Sequence, residues 1–187
     1  GAFYILYLHA NGSVKRNTKI GEGLGGFNPS NLDAGDQFGF AIASIGDLDN
    51  NGYIDLAVSA KLDENGDAGE GAIYILFLND SNGTILRNTK ISDGLAGFNP
   101  SGLIGNDQFG FAIANLGDLD GNGITDLAVG ASQDENSDAA EGAVYILFLN
   151  DTNGTVLRNT KISDGLAGFN PSGLDGGDSF GYSITNI

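Results

Sequence analysis

Ten residues in two nine-residue loops carry the types and spacing that metal chemistry requires. They are Asp47, Asp49, Asn51, Tyr53 and Asp55 in one loop, and Asp118, Asp120, Asn122, Ile124 and Asp126 in the other. Each loop places side-chain oxygens at positions 1, 3, 5 and 9 and offers a backbone carbonyl at position 7 (Tyr53, Ile124). Calcium is a hard cation that takes six to eight oxygens, and a short tight loop with this spacing supplies them. Gly52 and Gly123 stand at position 6, where the chain must turn sharply and a Cβ would obstruct it. Asp, Asn and Gly also crowd ordinary polar turns. Two copies with matching donors at every ligand position favour two calcium sites over that reading. An EF-hand does not fit. Its bidentate Glu at position 12 is replaced by Val58 and Val129, and apolar, strand-like sequence follows each loop.

The elements that must hold these loops are written in an internal repeat. Residues 71–116 and 142–187 are identical at 36 of 46 aligned positions, and Gly1–Leu8 is an earlier copy of Gly71–Leu78. Phe38-Gly39, Phe109-Gly110 and Phe180-Gly181 mark the same point three times. The chain holds about 2.6 units of about 71 residues. Each full unit reads as four strands. The first follows the Phe-Gly pair (Phe40–Ile45; Phe111–Leu116), and the second follows the metal loop (Ile54–Ala60; Ile124–Ala131). The third is Ala72–Leu78 or Ala143–Leu149, apolar on both faces as an inner strand between neighbouring sheets must be. An Asn-Gly turn, at 79–83 or 150–154, leads to a fourth, polar edge strand (Thr84–Ile91; Thr155–Ile162). No helical periodicity runs for any useful length.

Connections of about twenty residues follow (92–108; 163–179), and loops of that length are either functional or packed by their own side chains. Phe98 and Phe169, with Leu95, Leu103, Leu166 and Leu174, are expected to pin them to the sheet. Four-stranded units marked by glycines and aromatics are the pattern of a β-propeller. The expected class is therefore all-β, a partial propeller of four-stranded antiparallel blades. Its expected division is 1–20 (strands three and four of a partial blade), 21–91 and 92–162 (complete blades), and 163–187 (connecting loop and a first strand at Gly181–Asn186).

The Phe-Gly pair, the Asp-x-Asp-x-Asn-Gly-x-x-Asp loop, the Asp-Leu-Ala-Val strand and the Gly-Ala-x-Tyr strand resemble the FG-GAP repeats of integrin α-subunit propellers. With the Lys-Ile-Ser-Asp segment (Lys90–Asp93, Lys161–Asp164), they look closer still to the long FG-GAP repeats of secreted bacterial surface proteins. The resemblance covers essentially the whole chain. It implies calcium on the ten loop residues named above, an extracellular or cell-surface parent, and a role in adhesion or recognition of a protein or glycan ligand. The Gly-Ala-Pro of the family's name is Ser59-Ala60-Lys61 in one copy and Gly130-Ala131-Ser132 in the other, which weakens the turn after strand two.

Catalysis needs unlike residues in unlike roles, so an active site should break the repeat. Little does. His9 is the only histidine, and its counterparts are the turn residues Asn79 and Asn150. Lys61 is unmatched, and the sequence shows no partner for it. Asp63-Glu64 and Asp134-Glu135 repeat and read as solvated loop acids rather than as the acid–base pair of a glycosidase. No enzymatic activity is expected. A purely structural repeat scaffold is the alternative to recognition, and part of a carbohydrate-active or other hydrolytic enzyme a more distant one.

A net charge of −16, from 24 acidic and 8 basic residues, disfavours nucleic acid and acidic membranes as partners. No apolar run of about 18 residues is present, so no membrane-spanning helix is expected. The absence of cysteine excludes disulfides and thiol chemistry. Asn-x-Ser/Thr sequons recur at Asn11, Asn79, Asn82, Asn150 and Asn153. The chain opens and stops mid-pattern, as a piece of something longer would. Its incomplete blades are expected to self-associate.

Overall fold

A strand with apolar side chains on both faces is stable only between two neighbours, and the repeat supplies them. The computed structural model describes residues 1–64, 68–79, 81–100, 102–135, 140–150 and 152–187. Among them are ten strands and no helix. β1 (Ala2–Leu8) and β2 (Val14–Gly21) form a hairpin. β3 (Phe38–Gly46), β4 (Asp55–Ala60), β5 (Ala72–Leu78) and β6 (Ile85–Ile91) form one antiparallel four-stranded meander. A second contains β7 (Phe109–Gly117), β8 (Asp126–Ala131), β9 (Ala143–Leu149) and β10 (Val156–Ile162). These sheets are propeller blades, with the polar β6 and β10 at one edge of each and β3 and β7 at the other. Asp80 and Asp151, in the turns anticipated at 79–83 and 150–154, lie outside the described residues.

Every residue of β5 is buried. Its Ile73, Ile75 and Phe77 pack with Tyr145, Leu147 and Leu149 of β9 in one core. Tyr74, Leu76 and Leu78 share a second core with Phe3 and Ile5 of the hairpin. β1 has a neighbour on one side only, so its burial alternates. Close approach of the blades depends on Gly110, at φ +94°, where a Cβ would lie 2.8 Å from that of Ser59. The same glycine interrupts the ladder, whose register shifts between Phe109 and Ala112.

The long connections do pack by their aromatics. Phe98 is fully buried, stacks on Phe109 at 4.7 Å and meets Tyr145 edge-on at 5.7 Å. Phe27 stands the same way to Phe38 and Tyr74, and Phe169 stacks on Phe180 at 4.8 Å. Leu103 is buried, but Leu95 and Leu166 are exposed, so the leucines contribute unequally.

Residues 181–186, expected as a first strand, form none. The segment is held by a single parallel bridge from Gly142 to Phe180 and by contacts of Phe180 and Ile184 with the core around Val144. First strands β3 and β7 owe their ladders to β4 and β8. No described segment takes that place beside 181–186.

Candidate metal centres

Each loop joins the first strand of a blade to the second, where β3 hands over to β4 and β7 to β8. Gly52 and Gly123 turn it at φ +91° and +86°. Val58 and Val129, at the position where an EF-hand would bring Glu, are buried in β4 and β8.

The last carboxylate of each loop is its anchor. Asp55 is fully buried and accepts Leu48 N–H at 2.9 Å and Leu78 N–H at 3.0 Å, one on each oxygen. Asp126 repeats this with Leu119 and Leu149. Burial pushes the Asp55 carboxyl above the ordinary carboxylate range, against the opposing pull of the Leu78 and Leu48 N–H groups. The first carboxylate shapes the turn. Asp47 accepts Asn51 N–H and Gly52 N–H, and Asp118 accepts the N–H groups of Gly121, Asn122 and Gly123. Asn51 and Asn122 brace the loop against the third strand. Their Nδ2 groups donate to Leu78 O and Leu149 O, and their Oδ1 atoms accept Tyr53 and Ile124 N–H.

These contacts bring one carboxylate oxygen from each of Asp47, Asp49 and Asp55 within 4.8 Å of one another, and likewise for Asp118, Asp120 and Asp126. Asp49 Oδ1 is buried without a hydrogen-bond partner. An orphaned anionic oxygen among two other carboxylates is costly unless a cation completes it, and an all-oxygen donor set is what calcium takes. The residues present therefore fit a calcium ion. Arg87 stacks on Phe77, lies 3.3 Å from Asp49 Oδ2 and donates to Thr152 O at 2.9 Å, joining the first loop to the next blade. Arg158 stands 3.5 Å from Asp120.

Two readings of the sequence are corrected here. Asp63 and Asp134 are not solvated; both are fully buried. Lys90 and Lys161 each place Nζ 2.6 Å from Oδ1 of one of them, and Tyr74 and Tyr145 donate their hydroxyls to Oδ2 at 2.9 and 2.7 Å. Burial, and then the neighbouring Asp63 or Asp134, pushes each tyrosine hydroxyl upward in pKa. Lys61 is not partnerless. Its Nζ donates to Gln108 Oε1 at 2.9 Å and lies 4.7 and 5.1 Å from the ring centres of Phe40 and Phe111. Burial lowers its pKa. The register that sets Tyr74 beside Lys90 was the available signal for the buried cluster, because Tyr, Lys and Asp all recur with the repeat.

Antiparallel four-stranded blades with an acidic loop between their first two strands define a repeat protein of the propeller class. Residues 109–147 match the FG-GAP repeat family. The chain is 38% identical over 100 residues to integrin alpha-PS5 of Drosophila melanogaster, covering 54% of this chain and 9% of that protein. It is 40% identical over 95 residues to integrin alpha-IIb of Homo sapiens, covering 51% and 8%. It is 35% identical over 114 residues to integrin alpha-6 of Gallus gallus, covering 60% and 9%. Its repeats are integrin-like FG-GAP repeats. The aligned stretch spans less than a tenth of the length of these relatives.

Proposed function

We propose that the chain is a calcium-binding, integrin-like repeat segment of a cell-surface or secreted protein, acting in adhesion or in recognition of a protein or glycan ligand. The observation that carries this reading is the repeated loop, with three converging carboxylates and the orphaned Asp49 oxygen in the first copy. One calcium ion per loop would be held by the side chains of Asp47, Asp49, Asn51 and Asp55 with the Tyr53 carbonyl. The second would be held by Asp118, Asp120, Asn122 and Asp126 with the Ile124 carbonyl. A bound ion would supply charge neutralisation and tie the first two strands of each blade together. The role is non-enzymatic: in each acid pair that resembled a catalytic one, the aspartate (Asp63 or Asp134) is held in a buried ion pair with lysine. The Lys-Ile-Ser-Asp segments and long connections support a parent like the secreted bacterial surface proteins. Terbium, a calcium-sized oxygen-seeking ion, tests the site, because Tyr53 in the first loop can sensitise its emission. Emission that calcium displaces and Asp49→Ala abolishes supports the reading; no sensitised emission, or none lost in the variant, refutes it.

A further inference from the structure

Arg87 of β6 touches both the first metal loop and the next blade. Its Nη2 lies 3.3 Å from Asp49 Oδ2 and donates to Thr152 O at 2.9 Å, while the guanidinium stacks 3.4 Å from the ring centre of Phe77. Asp49 thus turns Oδ2 to Arg87 and keeps Oδ1, buried without a partner, for a cation. The turn that Arg87 grips lies between β9 and β10 and is closed by Asn150 N–H on Thr155 O at 2.8 Å. The first full blade braces it at two more points. Thr89 Oγ1 donates to Asn153 O at 2.6 Å, and Gly154 fits so closely against Ile75 that an added Cβ would lie 3.0 Å away.

The other side of this turn leads into the second metal loop. Leu149, the last residue of β9, donates its N–H to Asp126 Oδ1 at 3.0 Å and accepts Asn122 Nδ2 on its carbonyl at 2.9 Å. A side chain that answers to the first loop therefore holds the turn that positions two donor residues of the second. The wiring is repeated one step earlier. Arg16 of β2 donates to Asn82 Oδ1 at 2.7 Å and to Ser81 O, Thr18 donates to Asn82 O, and Gly83 fits against Ile5. Leu78, which leads into that turn, gives its N–H to Asp55 and its carbonyl to Asn51. Each turn is gripped by the arginine of the preceding unit and serves the metal loop of its own. Arg87 closes such a link between two metal loops.

We propose that the two calcium sites are coupled through Arg87 and the β9–β10 turn, so that an ion in one loop strengthens binding in the other. This rests on the calcium reading above and adds the path between the sites. An ion on Asp49 Oδ1 would fix that carboxylate, and with it the guanidinium on Thr152 O. The turn then keeps Leu149 in place for Asp126 and Asn122, so the second ion has less to order. Linkage makes the effect equal in both directions. Arg87 is a positioning residue, since it touches a ligand carboxylate and no ion. Lysine cannot replace it, because an ammonium lacks the planar fork that stacks on Phe77.

Terbium binding to the full chain, read by Tyr53-sensitised emission, tests the coupling at the first loop. Asp120→Ala removes the second site and should raise the terbium concentration that half-saturates the first. Losing a carboxylate also weakens cation binding through the general field, so the same ratio is measured with Arg87→Met present in both chains. The methionine stem still covers Phe77 but holds neither Asp49 nor Thr152. The ratio in the parent background should exceed the ratio in the Arg87→Met background at least about fivefold, the lower end of ordinary couplings between sites. Arg87→Lys serves in its place if the methionine variant melts too low to measure, and the same excess is expected. Equal ratios in the two backgrounds overturn the coupling and leave the calcium reading standing. No sensitised emission from the parent overturns both.

Discussion

Asp120 and Asp134 carry the same charge fourteen residues apart and have opposite dependence on their surroundings. Asp120 stands among like charges, with Asp118 and Asp126 within reach of one ion. Asp120→Ala should remove one site and lower the melting temperature in calcium, with little change in chelator, because it also relieves repulsion. Asp134→Ala should instead destabilise the chain in both conditions by about 3–5 kcal/mol, because it strands Lys161 and the Tyr145 hydroxyl in the interior. Paired thermal melts of the two variants, with calcium and with chelator, separate these outcomes. The convergence of the loop carboxylates was legible in the sequence because all of them fall within nine consecutive positions. The Asp63 and Asp134 clusters were not, because their lysines come from strands 27 residues further on. Only the pairing of the third and fourth strands brings them to the carboxylates.

The connecting segments behave as elements in their own right. Phe98→Ala should cost about 3–5 kcal/mol by emptying a fully buried aromatic cluster, whereas Leu95→Ala, on the surface of the same segment, should stay within about 0.5 kcal/mol. Denaturant unfolding of both variants checks this. Asp107, at the end of that segment, accepts Ile104 N–H at 2.7 Å. Burial, with the nearby Asp134 adding to it, pushes its carboxyl up to about 7 from an ordinary 3.8. Between these values the folded chain keeps a proton that the unfolded chain has released. Its stabilising contribution is therefore complete below about pH 4 and lost as pH rises through 7. Asp107→Asn cannot ionise, so its melting temperature relative to the parent should rise from pH 4 to pH 8 by several degrees. An unchanged difference would contradict the assignment. Strands were legible from two-sided apolarity and from Asn-Gly turns, and β5 and β9 fall where the pattern put them. The first strands begin two residues earlier than expected, at the Phe-Gly pair itself. The segment at 181–186 read as a strand because it copies β3 and β7. A ladder, however, needs a partner that no copy of the pattern supplies.

At the scale of the molecule, the charge of −16 and the two acidic loops would make calcium, on the proposed function, a folding term as well as a ligand. Extracellular modules bind calcium at roughly 10⁻⁴–10⁻³ M, and at ten times such a dissociation constant each site adds about 1.4 kcal/mol. Two such sites would add about 3 kcal/mol, a substantial part of the roughly 5–15 kcal/mol that hold a domain together. The ions would act where β3 meets β4 and β7 meets β8. Arg87, which donates to Thr152 O, would extend the effect of the first site to the next blade. The most direct measurement is a calorimetric titration of calcium into the metal-stripped chain, followed by melts of the loaded and stripped forms. Two ions should bind per chain, one should remain in Asp120→Ala, and the loaded chain should melt several degrees higher. No heat at millimolar calcium, or identical melts with and without the ion, would contradict the account.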